Sequence, residues 1–444
     1  MKLKISNVLE KTKWLAKTET LFFVSQIILL LLLCFLHSLS AGHSCDFNPI
    51  NGTFQNFNPV RRLLSGQIPY RDFSAYLGLG HLYAGSIFTF LFGGNYQASL
   101  IAFSFLQIFS LALISVCIGK AILKNTRISV CAANIFLTVL LLQPAFYSNG
   151  IISGVKMKNA LNSCLGVGNS ARFVRGMILG IFMILFFAGE KKISALIDKK
   201  LLFKKYSHLV YTFCFGNLAG FSALWSNDYG ISAFVCAFCA FSWIVFCKTR
   251  NLTKSSLLIV VYLFASMIGL FFFGEIFTFG HFGSWLKNTF GVGDFQRWYY
   301  TSDASSYIFD IDLSFLTIVQ LLLCFAYGAK IFICRADKES IFRYGIPAFC
   351  NLTAYCAVNE YKLLSGGLIY EVAYSVLFLT LAFEAISFLK NNSRINKKHT
   401  ALICHTISIS ISIAWLVSAL FSEILFYSTA KPSSRITELG RGGG

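Results

Sequence analysis

Long apolar runs alternate with short basic segments along nearly the whole chain, and the repeat length is that of helices crossing a bilayer. Residues 21–41 (LFFVSQIILLLLLCFLHSLSA) already supply the roughly 20 apolar positions that span a hydrocarbon core. Runs of the same kind predict about eleven transmembrane helices, near 20–41, 97–119, 128–147, 173–189, 207–225, 231–247, 256–279, 314–333, 341–357, 368–389 and 400–427. Two shorter patterns lie between the first pair. Phe54 to Leu64 sets apolar residues at helical spacing with Asn and Arg between them, predicting a helix flat in the interface. His81 to Phe92 is apolar but too short to cross, and predicts a second helix that dips partway in and stops at Gly93-Gly94.

Composition agrees and narrows the class. With 56% hydrophobic and only 13% charged residues, 444 residues could not cover themselves with polar surface. The expectation is an all-α polytopic membrane protein. A net charge of +19 would point to nucleic acid in a soluble chain, but here the placement of the cations matters more than their sum. The clusters Lys2/Lys4/Lys11/Lys13/Lys17, Lys191/Lys192/Lys199/Lys200/Lys204/Lys205 and Arg394/Lys397/Lys398 fall on one side if the N-terminus is cytoplasmic, as the positive-inside rule requires. No nucleic-acid partner is expected. The first apolar run is long for a signal peptide and reads as an uncleaved anchor.

Polar segments are too short for a separate soluble domain, so residues 1–430 read as one transmembrane domain and 431–444 as a flexible tail. On the predicted outer side lie two long connections, 42–96 and 280–313, and a medium one, 148–172. Loops of that length are usually functional, which places the expected site on the outer face. The predicted cytoplasmic loops carry no GxxxxGK[ST] and no glycine-rich strand-to-helix turn, so an activated group would have to arrive on a lipid or a translocated molecule. Histidines and cysteines lack metal-ligand spacing, and neither metal nor cofactor is expected.

The outer connections hold the candidate chemistry. Asp46 follows the first span directly, and Arg61-Arg62-Leu63-Leu64-Ser65-Gly66-Gln67-Ile68-Pro69-Tyr70-Arg71-Asp72-Phe73 brings cations and a second acid to a similar depth. A carboxylate can take the proton of an attacking hydroxyl, and Arg is shaped to receive a departing phosphate by paired hydrogen bonds. Each has a plainer alternative. Asp46 could cap a helix, Arg71 and Asp72 could pair only with each other to fix the turn after Pro69, and Arg61 and Arg62 could reach lipid headgroups. Arg172 and Arg175, three apart at the start of the fourth span, share a helix face and call for an anion, either a lipid-borne phosphate, a headgroup or Asp228. Asp228, in the tight turn Trp225-Ser226-Asn227-Asp228-Tyr229-Gly230, could bind acceptor hydroxyls, neutralise Arg172 or cap the sixth span. The loop from Trp285 to Asp312 sets Arg297, Trp298, Tyr299 and Tyr300 among Asp294, Asp303, Asp310 and Asp312, a mixture suited to sugar rings or to an interfacial aromatic belt.

Asp46, the RLLSGQIPYRDF string and the amphipathic stretch ending in Leu91-Phe92-Gly93 together resemble the first outer loop of the GT-C superfamily, integral-membrane glycosyltransferases that use polyprenyl- or dolichyl-phosphate sugars. The resemblance covers under a tenth of the chain. It implies transfer of a sugar from a polyprenyl-phosphate donor to a glycan or glycolipid acceptor at the outer face of a bacterial cytoplasmic membrane, in the manner of O-antigen or serotype-modifying enzymes. An acid in the first outer loop acts as base in that family, and Asp46 occupies the matching position. Many relatives carry an acidic pair there; here Phe47 follows, so the base is either Asp46 or Asp72. A flippase for lipid-linked sugars and a polysaccharide polymerase or ligase are the competing classes. Neither repeat halves nor one dominant late loop is visible in the sequence.

Overall fold

The computed structural model describes residues 20–21, 23–36, 38–39, 53–75, 77–148, 172–184, 207–299, 315–359 and 371–392. In chain order its helices are α1 (Phe23–Leu36), α2 (Thr53–Leu64), α3 (Gly80–Leu91), α4 (Tyr96–Leu123), α5 (Thr126–Ser148), α6 (172–184), α7 (Ser207–Trp225), α8 (Tyr229–Thr249), α9 (Leu252–Thr278), α10 (Phe282–Tyr299), α11 (Phe315–Ile333), α12 (Ile346–Asn359) and α13 (Glu371–Asn392). Among the described residues there is no strand, only an isolated bridge between Pro69 and Phe73. Among the described residues, five helices are long and apolar enough to cross a membrane: Tyr96–Leu123, Tyr229–Thr249, Leu252–Thr278, Leu316–Ile333 and Val372–Leu389. The chain is an all-α, multi-span membrane protein. Helices also stand where spans near 128–147, 173–189 and 207–225 are expected, whereas 400–427 lies outside the described residues.

Helix α4 is the axis, with 72% of its apolar window buried, and α3, α5, α12 and α13 pack around it. The peripheral helices show why apolar composition alone does not mean burial. On α9, Leu257, Val260, Phe264, Met267 and Phe271 recur every three or four residues and are all exposed, the lipid-facing stripe, while Tyr262, Ala265, Ser266 and Gly269 on the opposite side are buried.

That buried side meets α7 in the most extensive helix pair of the bundle, which the residues Gly216-Asn217-Leu218-Ala219-Gly220 make possible. Lipid offers apolar side chains the same environment as protein, so helices associate in membranes by close packing of small residues. A Cβ on Gly216 would stand 2.6 Å from the Tyr262 carbonyl oxygen, and one on Gly220 would stand 2.3 Å from that of Ser266. Gly269 approaches the α7 backbone in return, its Cβ position 2.6 Å from Asn217 Cα.

At one end of the bundle the chain turns tightly and is capped by its own side chains. Asn251 Oδ1 accepts from the Lys254 amide at 3.1 Å, and Asp337 Oδ1 from the Ser340 amide at 2.9 Å. Lys124 and Arg250 end α4 and α8 in the left-handed conformation, cations placed at the negative pole of each helix. Helix α12 is entered through the short turn Lys338–Ser340 and a π-helical turn, Ile341–Gly345.

The opposite end carries the first loop, and both helices expected there are present as α2 and α3. Helix α3 ends as anticipated, with Gly93 and Gly94 at φ +115 and +76. The second long connection differs from expectation, being helical over Phe282–Tyr299 where its glycines and acids read as a loop. The cause is tertiary. Gly274 leaves room for the Phe282 ring, 2.2 Å from where a Cβ would sit, and Phe282 and Trp285 bury against α9 and the first loop.

Replacing Gly220 with Leu should cost about 2 kcal/mol or more by overpacking the α7–α9 contact. The control, Gly283→Ala, has nothing within 4 Å of its new methyl group and should unfold like the parent. Unfolding in mixed micelles measures both, and equal stability would mean the helices do not approach through these glycines.

Candidate functional site

The turn joining α7 to α8 is the point on which the first loop, α6 and the bundle converge. Leu79 N–H donates to the Leu224 carbonyl at 3.0 Å, and Asn227 N–H donates to the Leu77 carbonyl at 3.0 Å, a two-bond clasp between segments far apart in sequence. Gly78 permits it, because at φ +108 it lies so close to the turn that a Cβ would stand 2.4 Å from Ser226 Cα. Trp225 then reaches α6, its indole Nε1 donating to the Val174 carbonyl at 3.0 Å. On the other side of the turn, His81 Nδ1 lies 3.2 Å from the Trp225 carbonyl oxygen.

Inside this frame Arg175 and Asp228 form an ion pair, with 3% and 1% of their side chains accessible. Of the three roles open to Asp228, capping α8 is taken instead by Ser226, whose Oγ accepts from the Gly230 amide at 2.9 Å, while the Asp228 side chain makes no cap hydrogen bond. Its partner is Arg175. Arg172, one turn earlier on α6, is half-buried. A buried pair of opposite charges loses much hydration, and is held only if the remaining polar atoms are satisfied. Here Asp228 Oδ1 has no partner among the described residues, and neither has His81 Nε2. Burial first, and the Arg175 charge second, lower the His81 pKa to about 3, so the ring is neutral and adds no second cation beside Arg175.

A second acid and base pair occupies the exposed rim. Arg71 holds both oxygens of Asp72, Nε to Oδ1 and Nη2 to Oδ2, each at 2.9 Å, and the Ile68 amide donates to Oδ2 at 2.8 Å. The Arg71 hydrogen bonds, and then the Ile68 amide, hold the Asp72 carboxyl at about 2. A carboxylate so fully occupied is a poor proton acceptor. Tyr70, at φ +64, turns inward to donate its hydroxyl to the Ala75 carbonyl at 2.6 Å, and so links the exposed turn to the clasp.

The remaining cations are spread along the same rim. Arg61 is exposed and donates to Asn58 Oδ1 at 3.3 Å, and Arg62 donates to Gln67 Oε1 at 3.3 Å with its guanidinium 5.8 Å from the centre of the Phe73 ring. Such contacts are weak enough to be exchanged for an anion. Arg297 lies on α10, and Asp46 lies outside the described residues. Among the described residues no cluster of His, Cys, Asp and Glu is arranged to hold a metal ion.

The structure therefore brings together Arg175 with Asp228 and Arg71 with Asp72. It adds His81, Trp225 and Tyr70 as the side chains that position them. A single His at the start of a short apolar helix carries no signal of its own in sequence, and neither does a Tyr in a positive-φ turn. Family models, curated proteins and solved structures all fail to match this chain.

Arg175→Met, which strands Asp228 in the interior, should destabilise the fold by about 3–5 kcal/mol. Adding Asp228→Leu should recover at least half of that loss, as a double-mutant cycle in detergent-solubilised protein would report. A double variant whose cost equals the sum of the Arg175→Met and Asp228→Leu costs would show that the two side chains are not coupled.

Because the Asp72 pKa is depressed in the folded state, the turn's contribution to stability is complete above the ordinary carboxylate range and disappears as pH falls through about 2. In Arg71→Ala the Asp72 carboxyl should titrate higher, moving from about 2 toward its ordinary value of about 3.9 without reaching it, because the Ile68 amide remains. Carbon-13 shifts of labelled Asp follow this directly, and an unchanged titration would remove Arg71 as the cause.

Proposed function

We propose that this protein is a glycosyltransferase of the GT-C type. It moves a sugar from a polyprenyl-phosphate donor to a glycan or glycolipid acceptor at the outer face of a bacterial cytoplasmic membrane, with about eleven crossings and the first loop extracytoplasmic. The observation that carries this reading is the docking of that loop on the α7–α8 turn. The clasp fixes a rim of guanidinium groups, the exposed Arg61 and Arg71 and the half-buried Arg62, at one end of a lipid-embedded bundle. A lipid carrier diffusing in the bilayer reaches such a rim sideways, with its phosphate at headgroup depth.

The chemistry divides among the acids. In the transfer the acceptor hydroxyl attacks the anomeric carbon, gives up its proton to a carboxylate, and the lipid phosphate leaves with the bonding electrons. Asp72 is committed to Arg71 and the Ile68 amide, so Asp46 takes the role of base and Asp72 keeps the turn in shape. Guanidinium groups at the rim stabilise the phosphate as its charge grows. Arg172 holds the donor phosphate from the start of α6. Arg175 and Asp228 fix the end of α6 relative to α8. Arg297 contacts the sugar or the acceptor.

In proteoliposomes charged with a synthetic polyprenyl-phosphate sugar, Asp46→Asn should lower turnover by at least about a hundredfold while donor binding persists. Arg172→Ala should weaken apparent donor affinity instead. Equal turnover in wild type and Asp46→Asn would take the base away from that residue, and no transfer from any such donor would remove the class.

A further inference from the structure

Among the described residues two thiols are in contact that no part of the proposed transfer uses. Cys236, two turns into α8, donates its S–H to the Sγ of Cys356 near the end of α12, with the sulfurs 3.7 Å apart. The two residues are 120 positions apart in sequence, so the contact is purely tertiary. Their environments differ. Cys236 is buried at 2% exposure, whereas Cys356 is partly accessible. Two other thiols face groups that cannot form a disulfide, Cys350 meeting Met183 Sδ at 3.5 Å and Cys324 the Ala348 carbonyl at 3.6 Å.

We infer that Cys236 and Cys356 are a peroxide-reactive pair that closes to a disulfide between α8 and α12. Cys356 is the more exposed of the two residues and is the one that peroxide meets first, so it is the nucleophile. Its Sγ, having released its proton, attacks one oxygen of the peroxide. The O–O bond breaks, water leaves after taking up a proton, and Cys356 becomes a sulfenic acid. The Cys236 sulfur, already in contact, then attacks Cys356 Sγ. The S–O bond breaks and a second water leaves with the remaining proton. Two thiols and one hydrogen peroxide thus yield one disulfide and two waters.

A disulfide needs its sulfurs at about 2 Å, so these two must close by less than 2 Å. The consequence falls on α8. Asp228 stands eight residues before Cys236, about 12 Å along the helix axis, so the bond would tie to α12 the helix that begins at the buried ion pair. This inference is independent of the glycosyltransferase reading.

The test is graded hydrogen peroxide on the full chain in nanodiscs, followed by alkylation, non-reducing digestion and mass spectrometry. Cys214, Cys239 and Cys334 are exposed and serve as internal references. The expected result is a linked Cys236–Cys356 peptide at peroxide doses that leave most of the reference thiols alkylatable, reversed by dithiothreitol. Cys236→Ser should stop Cys356 at a sulfenic acid trapped by a cyclic 1,3-dione, and Cys356→Ser should leave Cys236 reduced at the same dose. Any of three results would overturn it: a sulfinic acid on Cys356 with Cys236 still free in wild type, a dominant link from Cys356 to Cys239, or both thiols unreacted when the reference thiols have oxidised.

Discussion

A guanidinium and a carboxylate enclosed together in an apolar bundle constrain everything around them. Arg175 on α6 and Asp228 at the head of α8 cannot separate without leaving a charge in surroundings that do not solvate it. The turn that carries Asp228 must therefore stay against α6, and it does so with help from Trp225, which donates to α6, and from Ser226, which caps α8. The first loop in turn hydrogen bonds to that same turn. The exposed rim with Arg71 and Asp72 inherits its position from a pair that water does not reach.

Small residues make the remainder possible. In a bilayer the gain from burying Leu or Phe is slight, and helices that must hold a fixed geometry do so by bringing backbones close. The α7–α9 contact through Gly216, Gly220 and Gly269 sets the frame on which the α7–α8 turn rests, and Gly78 lets the first loop meet it. At the other end a second charged group plays a similar part. Glu384 on α13 accepts from Arg343 Nη1 at 2.6 Å and from the Tyr327 hydroxyl at 2.5 Å, joining α11, the π-helical turn and α13. An unpaired carboxylate on a membrane helix is costly, so this network holds three segments in a single arrangement. Between α11, α12 and α13, Gln320, Asn351 and Thr380 bond side chain to side chain, which fixes the rotation of each helix about its axis.

Much of the architecture is written in local patterns. The apolar runs from 96 to 278 predict the helices they form, and the tight turn after Trp225 is visible in its composition. Both short helices of the first loop follow from spacing, and the glycine pair that ends the second is a local stop. The helix Phe282–Tyr299 is not legible in this way, because its polar and glycine-containing pattern is stabilised by contacts with α9 and the first loop. The partner of Asp228 is equally hidden. Arg172 and Arg175 are alike in sequence, and only the rotation of α6 decides which of them meets the acid.

By itself, then, the sequence determined a helical membrane protein and where most of its described helices run, since both depend on hydropathy and spacing within one segment. Tertiary structure alone decided that Asp228 belongs to Arg175, that Asp72 is occupied by Arg71 and the Ile68 amide, that His81 is neutral and enclosed, and that Cys236 touches Cys356. The physical reason is that a pairing between distant segments depends on helix rotation and on how closely backbones approach, and those are set by glycines and by partners that no local window contains.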